Sequence, residues 1–449
     1  MQLSKALRLS NSDVVAFVGA GGKTSAMFRV AQELAPALVT TTTHLGAWQA
    51  SLANLHFIWA ADAPMPEIES WLSSGVILVT GMLDEETGRF RRLDSAQLKK
   101  LRELAGYHNL PLLIEADGSR QKPLKAPGAH EPVIPAFADV VVVVAGLSAL
   151  KQPLHTAIVH RSEIFSRLSG LKEGEAITPQ ALAKVLTSTE GGLKNIPAGA
   201  RRVALLNQAD TPALQAQANE IDGLLLQAYD AVVISSMEPP PGSPPEIVSA
   251  VKEKIGGIIL AAGAASRYGQ PKQLLDYHGQ PFVRVVAETA LQAGLEPVIL
   301  VSGANADLVE AAVDGLPVIV SRNPDWQVGQ STSMRTGVTA LKEQASQAGG
   351  AIFLLVDQPQ VNADVLRALV ERHSQDLPAA VAPYVFDQRA NPVLFDRVTF
   401  DDLLTLQGDT GGRAVFSKFS PRYVNWYDRG LLLDIDTPED YDKLLRGEF

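Results

Sequence analysis

Two glycine-rich loops, one in each half of the chain, contain the residues best suited to phosphate chemistry. In the C-terminal half an apolar run ends in Ala261-Ala262-Gly263, which Arg267 and Lys272 follow. Small side chains let backbone N–H groups approach phosphate oxygens, and the two cations add charge-assisted hydrogen bonds. The spacing Leu-Ala-Ala-Gly-x-x-x-Arg-x-Gly-x-x-Lys therefore predicts a loop that binds a nucleoside triphosphate. The alternative is a flexible loop whose two cations are solvated.

The second loop, Gly19-Ala-Gly21-Gly22-Lys23-Thr24, lies in the N-terminal half between the apolar run Val14–Val18 and a helical pattern. Backbone amides and the helix N-terminus would hold phosphates there, while Lys23 would reach the terminal oxygens and Thr24 would bind Mg²⁺. The usual motif has a glycine where Phe17 stands, so this loop is short. A plain tight turn between strand and helix is the alternative.

Polar residues that follow two other apolar runs could complete this N-terminal site. Glu115 and Asp117 follow one run, and either carboxylate could hold Mg²⁺ directly or through water. Asn207-Gln-Ala-Asp210 follows another run and is similar to the Asn-Lys-x-Asp guanine-recognition motif of GTPases, with Gln208 in place of lysine. A four-residue match of this kind also arises by chance.

The elements that must position these residues are short apolar runs rich in β-branched side chains. Longer helical patterns separate many of them, which is typical of parallel strands covered by helices on both faces. We therefore predict an α/β fold with two doubly wound, mainly parallel sheets: a P-loop-like N-terminal domain and a Rossmann-like C-terminal domain. Ligands of such sheets bind beyond the carboxyl ends of the strands. The predicted strands are Val14–Val18, Leu38–Thr41, Val76–Val79, Leu110–Glu115, Val140–Val144, Val203–Leu206, Ala231–Ile234, Gly257–Ala262, Pro297–Val301, Val318–Val320, Ala351–Val356 and Ala379–Ala382.

A proline-rich segment divides the chain. With 449 residues the chain is too long for one comfortable core, and consecutive prolines in Met237-Glu-Pro-Pro-Pro-Gly-Ser-Pro-Pro245 favour an extended, semi-rigid spacer. We predict a nucleotide-binding domain over residues 1–236, a linker over 237–245 and a transferase domain over 246–449.

The composition excludes several classes of function. A net charge of -10 and a pI near 5.4 argue against a nucleic-acid partner. The absence of cysteine excludes disulfides, iron–sulfur clusters, thiolate-bound zinc and a cysteine nucleophile. Without a signal-peptide pattern or an apolar run long enough to span a bilayer, the expected protein is soluble, cytoplasmic and without a membrane partner.

The C-terminal loop and its spacing resemble the MobA-like nucleotidyltransferases, over nearly the whole of 255–446. The resemblance implies that Asp357, in Val356-Asp-Gln-Pro-Gln, binds the catalytic Mg²⁺. It also implies a second metal contact from Asp436, in Leu431-Leu-Leu-Asp-Ile-Asp-Thr-Pro-Glu-Asp440. Arg267 and Lys272 would then carry the β- and γ-phosphates. Asp436 could instead belong to a helix cap with Thr437.

Other segments bear on which nucleotide is used and on what accepts it. Guanylyltransferases of this family tend to carry Leu-Ala-Gly-Gly, whereas Ala261-Ala262-Gly263 is similar to the cytidylyltransferases. Three further segments resemble molybdenum cofactor cytidylyltransferases. Two positions depart from the pattern of that subfamily: Tyr268, in the glycine-rich loop, stands where methionine is usual, and Ala390 replaces the glycine before Asn391. These segments are Gln388–Phe395, Gly329–Arg335 and Gly408–Arg413. The resemblance implies nucleotide or acceptor contacts from Ser266, Ser331, Ser333, Asn391 and Pro392.

The N-terminal half resembles the YqeC family, accessory proteins of selenium-dependent molybdenum hydroxylases, over most of 12–236. The resemblance rests on the glycine loop, Val39–His44, Glu115–Arg120, Pro123–Pro127 and Val159–Arg161. It implies a nucleotide-binding fold, with ATP or GTP as ligand, and a molybdenum hydroxylase apoprotein as partner. His44, His130 and His160 could be metal ligands, although histidines near loops are more often hydrogen-bonded structural residues.

Together these features predict the transfer of CMP from CTP to a molybdopterin-type cofactor, with release of pyrophosphate. A guanylyltransferase, or a transferase acting on another phosphorylated acceptor, is the alternative of the same class. A cofactor carrier gated by nucleotide binding in the N-terminal half is the alternative of a different class. The set of Arg267, Lys272 and Asp357 favours catalysis, because a carrier has no need to hold Mg²⁺ and a triphosphate.

Overall fold

A computed structural model describes residues 1–73, 75–237, 247–264 and 270–448. The chain forms two compact units, Met1–Lys252 and Glu253–Phe449. Apart from Met237, the predicted linker lies outside the described residues. The strand Val248–Glu253, which the sequence analysis assigned to the second domain, lies beside Ala231–Ser235 at one edge of the sheet of the first unit.

The first unit is built on a nine-stranded sheet. Its strands lie in the order β14-β13-β12-β10-β1-β8-β2-β5-β4, and the short remaining strands form two separate small sheets. The strands are β1 (Val14–Gly19), β2 (Ala37–Thr41), β3 (Leu45–Gly46), β4 (Leu55–Ile58), β5 (Val76–Thr80), β6 (Leu83–Asp84), β7 (Arg89–Phe90), β8 (Leu112–Glu115), β9 (Leu124–Lys125), β10 (Val140–Gly146), β11 (Val159–His160), β12 (Arg201–Asn207), β13 (Ala231–Ser235) and β14 (Val248–Glu253). The helices are α1 (Leu3–Ala6), α2 (Lys23–Glu33), α3 (Ser95–Tyr107), α4 (Ser162–Ser169), α5 (Pro179–Thr187), α6 (Pro212–Asn219) and α7 (Asp222–Leu225).

Across this sheet, each pair of neighbouring strands from β4 at one edge to β13 near the other is parallel, as the apolar runs predict. Every residue of β10 is buried, because helices cover both faces of the sheet and leave no solvent-facing row. The loops that follow β1, β2, β5 and β8 therefore meet at one edge of the sheet, where their polar side chains can converge.

The second unit has a mixed eight-stranded sheet. Its path is β19-β18-β15-β20-β23-β21-β22, with β24 beside β21. The strands are β15 (Ile255–Ala261), β16 (Asp276–Tyr277), β17 (Gln280–Pro281), β18 (Val298–Ser302), β19 (Val318–Arg322), β20 (Gly350–Leu355), β21 (Ala380–Val385), β22 (Gln388–Arg389), β23 (Val393–Asp396) and β24 (Arg422–Asn425). The helices are α8 (Phe282–Gln292), α9 (Ala306–Ala311), α10 (Gln330–Gln344), α11 (Ala363–Asp376), α12 (Phe400–Leu404) and α13 (Pro438–Arg446).

Both units are mixed α/β structures dominated by parallel strands. In the second unit β23 runs antiparallel to β20 and to β21. The connection from Val385 to Val393 is too short for a crossover, so the chain must return beside β21 in the opposite direction. No helix within the described residues is long and apolar enough to cross a membrane.

Candidate functional site

In the second unit the predicted transferase residues meet at the carboxyl ends of two neighbouring strands. Strands β15 and β20 are parallel, with Leu260 opposite Leu355. The small-residue loop and Asp357 therefore leave the sheet side by side. They border a cavity of about 420 Å³, whose lining includes Ala262, Gly263, Lys272, Gln273, Ser333 and Asp357.

Gln273 holds the loop in place. Its buried side-chain amide donates to the carbonyl oxygens of Ala261 at 3.0 Å and Gly263 at 2.6 Å. These two hydrogen bonds engage backbone carbonyl oxygens of the loop and not its backbone N–H groups. The neighbouring Lys272 ammonium contacts the Asp436 carboxylate at 2.6 Å.

Three carboxylates surround Lys272. Burial, followed by the nearby charge of Asp434, raises the pKa of Asp357 to about 6. Burial, followed by the charge of Asp436, also raises the pKa of Asp434, although Gln358 opposes this shift by donating a 2.7 Å hydrogen bond. The backbone N–H of Ile435 donates to the carbonyl of Asp357 at 3.1 Å, which fixes the closing segment against the end of β20.

The helix cap predicted as an alternative role for Asp436 belongs to its neighbour. Thr437 is the N-cap of α13: its hydroxyl accepts from the N–H of Asp440, and the Asp440 side chain accepts from the N–H of Thr437. This pair satisfies the first turn of the helix and leaves the Asp436 side chain directed to Lys272.

The donor set suits a hard divalent cation. Asp357, Asp434 and Asp436 offer carboxylate oxygens, the ligands Mg²⁺ prefers. Burial is the main cause of the raised pKa values of Asp357 and Asp434 and disfavours their charged forms, an effect that a bound cation would offset. Among the described residues no group of three or more acidic or histidine side chains is already arranged around one point. A metal would therefore be held by one or two of these carboxylates together with water or substrate oxygens.

Two of the predicted segments pack together at the start of α10. Gly329 has φ 132°, and a side chain there would meet the backbone of Gly408 within 2.5 Å. The hydroxyl of Ser333 accepts from Asn323 at 3.0 Å, whereas the buried hydroxyl of Ser331 has no hydrogen-bond partner among the residues that the structure describes. Asp409 borders the same cavity. The contact at Gly329 therefore brings both segments to this cavity.

The glycine loop of the first unit has a different environment. Gly19, Gly21 and Gly22 all have positive φ values, between 83° and 100°. The N–H of Gly19 donates to Asp117 at 3.0 Å, and that of Gly21 donates to the carbonyl of Lys122 at 3.1 Å. These two amides are thus taken up by the protein itself.

Lys23 is buried beneath this loop. Its ammonium contacts Asp117 at 2.5 Å and Glu115 at 3.6 Å. Burial alone would lower the pKa of Lys23, but these two carboxylates raise it above its usual value. Thr24 donates to Glu115 at 2.7 Å, and Lys125 contacts Asp117 at 2.8 Å. The geometry resembles an internal ion network and does not confirm a phosphate loop.

Comparison with known proteins assigns each half to a family. Residues 15–163 match the model described as YqeC protein, and residues 257–423 match the MobA-like NTP transferase domain. The chain belongs to the YqeC family and, in its C-terminal half, to the MobA-like NTP transferases. The first unit is the YqeC domain, and the second, the MobA-like domain, is a nucleotidyltransferase.

Three curated relatives illustrate these matches. The Escherichia coli (strain K12) protein named "Uncharacterized protein YqeC" is 32% identical over 201 residues, which are 43% of this chain and 75% of the relative. Nicotine blue oxidoreductase of Paenarthrobacter nicotinovorans is 32% identical over 201 residues, 42% of this chain and 96% of the relative. A protein of Geobacillus sp. (strain WCH70) named "Probable molybdenum cofactor guanylyltransferase" is 24% identical over 202 residues, 43% of this chain and 98% of the relative.

Several predicted residues of the MobA-like domain lie away from the cavity lining or outside the described structure. Ser266 and Arg267 lie outside the described residues. Asn391 and Pro392 directly precede β23, whose Val393 pairs with Phe353. The antiparallel register carries them towards the carboxyl end of β20, the edge that Asp357 follows, although neither residue lines the cavity.

In the YqeC domain Asn207 supports the glycine loop. Its buried amide donates to the carbonyl of Gly21 at 2.7 Å and accepts from Ser235 and Met237 at 3.2 Å. Asp210 instead accepts from the hydroxyl of Ser236 and does not line the adjacent cleft. His44, His130 and His160 do line that cleft, but in the described part of the chain no three or more His, Asp or Glu side chains are grouped so that they could hold a metal ion.

Asp434 and Gln273 are site residues that the sequence analysis missed. A signal for Asp434 was present in Asp434-Ile-Asp436, because side chains two residues apart in an extended segment point to the same side. Ile435 between them is fully buried and points the other way. Gln273 carried no such signal, since a glutamine after a lysine is unremarkable until the loop closes on it.

Proposed function

We propose that the MobA-like domain transfers CMP from CTP to the phosphate of a molybdopterin-type cofactor, with release of pyrophosphate. The observation that carries this proposal is the convergence of the small-residue loop, Lys272 and Asp357 at one cavity, with Asp436 in contact with Lys272 and the charge of Asp434 close to Asp357. The choice of acceptor rests on the resemblance of residues 329–335, 388–395 and 408–413 to molybdenum cofactor cytidylyltransferases. The relative named as a molybdenum cofactor guanylyltransferase supports the same class of acceptor.

The chemistry asks the site to hold two anions together. The acceptor is a phosphate monoester that is already ionised at neutral pH, so no strong general base is required. Fixed positive charge must instead neutralise the α-phosphate and the departing pyrophosphate. Lys272 supplies such a charge, and Arg267 is proposed as its partner. When bound to Asp357 with Asp434 or Asp436, Mg²⁺ would add charge neutralisation and orient the phosphates.

The contact between Lys272 and Asp436 suggests how nucleotide and metal binding are linked. The Lys272 side chain is 12% exposed and that of Asp436 is 51% exposed, so the pair is easily broken by solvent or substrate. A triphosphate would draw Lys272 towards its oxygens and leave Asp436 without its counter-charge. Asp436 then becomes available to the cation that accompanies the nucleotide.

The direct test measures pyrophosphate released by the full chain with CTP, Mg²⁺ and molybdopterin. Asp357→Ala should leave a folded protein whose rate is reduced ~10²–10³-fold, a typical loss for one electrostatic contact of this kind. Asp364→Asn is the matched control, because its exposed carboxylate lies on α11 and contacts Arg367. Full turnover in Asp357→Ala would overturn the assignment.

The choice of base is tested separately. With equimolar CTP and GTP, the product should contain mainly cytidine, because the loop reads Ala261-Ala262-Gly263 and lacks the paired glycines of guanylyltransferases. Mass spectrometry of the product identifies the base. A mainly guanosine product would retain the nucleotidyl transfer and replace CTP with GTP.

A further inference from the structure

The largest cavity described in the YqeC domain is a cleft of about 1090 Å³. It lies where the loops after β1, β2, β5 and β8 converge, beyond the carboxyl ends of neighbouring parallel strands. This is the edge at which doubly wound sheets bind ligands. Two carboxylates line the cleft, Glu115 and Glu131, against seven cationic side chains. The cations are Lys23, Arg89, Arg91, Arg92, Arg120, Lys122 and Arg161.

Internal partners neutralise only some of these cations. Lys23 is paired with Asp117 and Glu115. Arg161 donates to both oxygens of Glu131 at 2.7 and 3.0 Å, and its hydrogen bonds, with those of Lys125, outweigh burial and lower the pKa of Glu131 to about 2. These two contacts belong to the protein's own structure and leave little attraction for a ligand.

Three arginines keep their charge for a ligand. Within the part of the chain that the structure describes, Arg89, Arg92 and Arg120 form no ion pair with a carboxylate. The positive charge of the cleft also acts on His160: burial and then neighbouring cations, Arg120 among them, lower the pKa of its imidazole. A chain with a net charge of -10 thus has a locally positive cleft. Such concentration of one sign of charge attracts an anion of several charges.

The cleft is also large and carries an aromatic surface. A second cavity of about 600 Å³ is lined by five residues, of which His44, Arg89, Arg120 and Gln121 also line the first. The combined space exceeds the ~300–1,000 Å³ usual for one small ligand. Trp48 lines the larger cavity with its side chain 61% exposed, which leaves an indole surface for a flat ring.

We propose that this cleft binds a polyphosphorylated ligand with a planar ring, of the size of a dinucleotide. Arg89, Arg92 and Arg120 would contact the phosphates, because guanidinium groups pair with phosphate oxygens in bidentate fashion. Trp48 would stack on the ring. Binding needs no divalent cation, since the charge comes from arginines. It does not use Lys23, which its own carboxylates occupy.

The charge, the size and the exposed indole of the cleft support this ligand whether or not the MobA-like domain carries out the proposed transferase reaction. Such a ligand nevertheless connects the two domains chemically. A cofactor phosphate joined to a nucleoside monophosphate has two phosphates and flat rings, which is the class of ligand that the cleft fits. The YqeC domain would then retain or hand on a compound of the kind that the MobA-like domain produces.

Calorimetry on the full chain tests the proposal with pyrophosphate, CDP and flavin adenine dinucleotide as probes. EDTA is present throughout, so that Mg²⁺-dependent binding in the MobA-like domain is suppressed. We expect one saturable site whose affinity rises from pyrophosphate to the dinucleotide and falls with added salt. The triple variant Arg89→Ala/Arg92→Ala/Arg120→Ala should weaken binding of all three probes at least tenfold. Arg167→Ala, exposed on α4 and paired with Glu190, is the matched control and should bind normally.

Trp48→Ala tests the contact with the ring of the ligand separately from the contacts with its phosphates. It should weaken the dinucleotide and CDP severalfold and leave pyrophosphate unchanged. An unchanged affinity for all three probes in Trp48→Ala would overturn the stacking assignment. An unchanged affinity in the triple arginine variant, or no saturable binding to the wild-type chain in EDTA, would overturn the anion site. Neither result would bear on pyrophosphate release from CTP, so failure here is distinguishable from failure of the transferase.

Discussion

The two glycine-rich loops place their lysines in opposite circumstances. Lys23 is buried between Asp117 and Glu115, and its ammonium stabilises the loop from within. Lys272 contacts the half-exposed Asp436 at the edge of a cavity, where a phosphate can compete for it. Similar local sequences thus place one lysine in a buried ion network and the other in a partly exposed ion pair beside a cavity. The partner carboxylate and its burial decide which role follows.

The largest expected effect concerns Lys272, the lysine at the cavity of the MobA-like domain. Lys272→Ala should reduce pyrophosphate release from CTP by ~10²–10³-fold, because a fixed charge aimed at the phosphates is lost. The free energy of unfolding should change by less than about 1 kcal/mol, since a partly exposed ion pair contributes little. Steady-state kinetics and urea unfolding measure the two quantities. Lys342→Ala, exposed on α10 beside Asp401, is the control.

For Lys23, the buried lysine, we expect the main effect on the stability of the YqeC domain. Lys23→Met should lower the free energy of unfolding of the YqeC domain by about 3 kcal/mol, because Glu115 and Asp117 lose a buried counter-charge. Lys125 still contacts Asp117 and keeps the loss at the lower end of the usual range. Urea unfolding compares this variant with Lys99→Met on the exposed face of α3. Unchanged stability together with lost nucleotide binding would restore the P-loop hypothesis.

The sequence predicted the central strands well because burial on both faces leaves a strong compositional signal. All twelve predicted runs contain strands, from Val14–Gly19 to Ala380–Val385. The strands it missed lack that signal. Leu55–Ile58 is only partly buried at a sheet edge, and Val393–Asp396 depends on a hairpin return that residue types alone do not specify.

The two candidate sites were predictable to different degrees. The grouping of Gly263, Lys272 and Asp357 was predicted from the resemblance to MobA-like nucleotidyltransferases, and the structure brings Gly263 and Asp357 together because the adjacent parallel strands β15 and β20 release their loops at one edge. The cleft of the YqeC domain was not predicted. Arg89, in the short strand β7, and Arg92 lie in no motif, and Arg120 ends a motif whose charge role its sequence does not specify, so Arg89 and Arg120 meet only through the fold. The direction of Lys23 likewise depends on Asp117, which lies distant in sequence.

The smallest predicted effect concerns the carboxylate of Asp357 in the MobA-like domain. The pKa of Asp357 is raised from its ordinary 3.8 to about 6, so between these values the folded protein binds more protons than the unfolded chain. Stability therefore falls as pH rises through this range, and above pH ~6 the metal-free protein carries a constant penalty. Two pKa units correspond to at most about 3 kcal/mol, which solvent screening of a half-buried group reduces to about 1–2 kcal/mol.

Asp357→Asn removes this penalty. The metal-free variant should be about 1–2 kcal/mol more stable than the wild type at pH 8, and the difference should shrink towards zero by pH ~3, below both pKa values, where the Asp357 carboxyl is mostly protonated in the folded and the unfolded protein alike. Urea unfolding in EDTA measures this, with Asp364→Asn as the control. Saturating Mg²⁺ should then stabilise the wild type and leave the variant nearly unchanged, because only a carboxylate binds the cation strongly. A variant less stable than the wild type at pH 8 would show that Asp357 is already balanced by Lys272. The functional cation would then resemble Lys23 more closely than its exposed partner suggests.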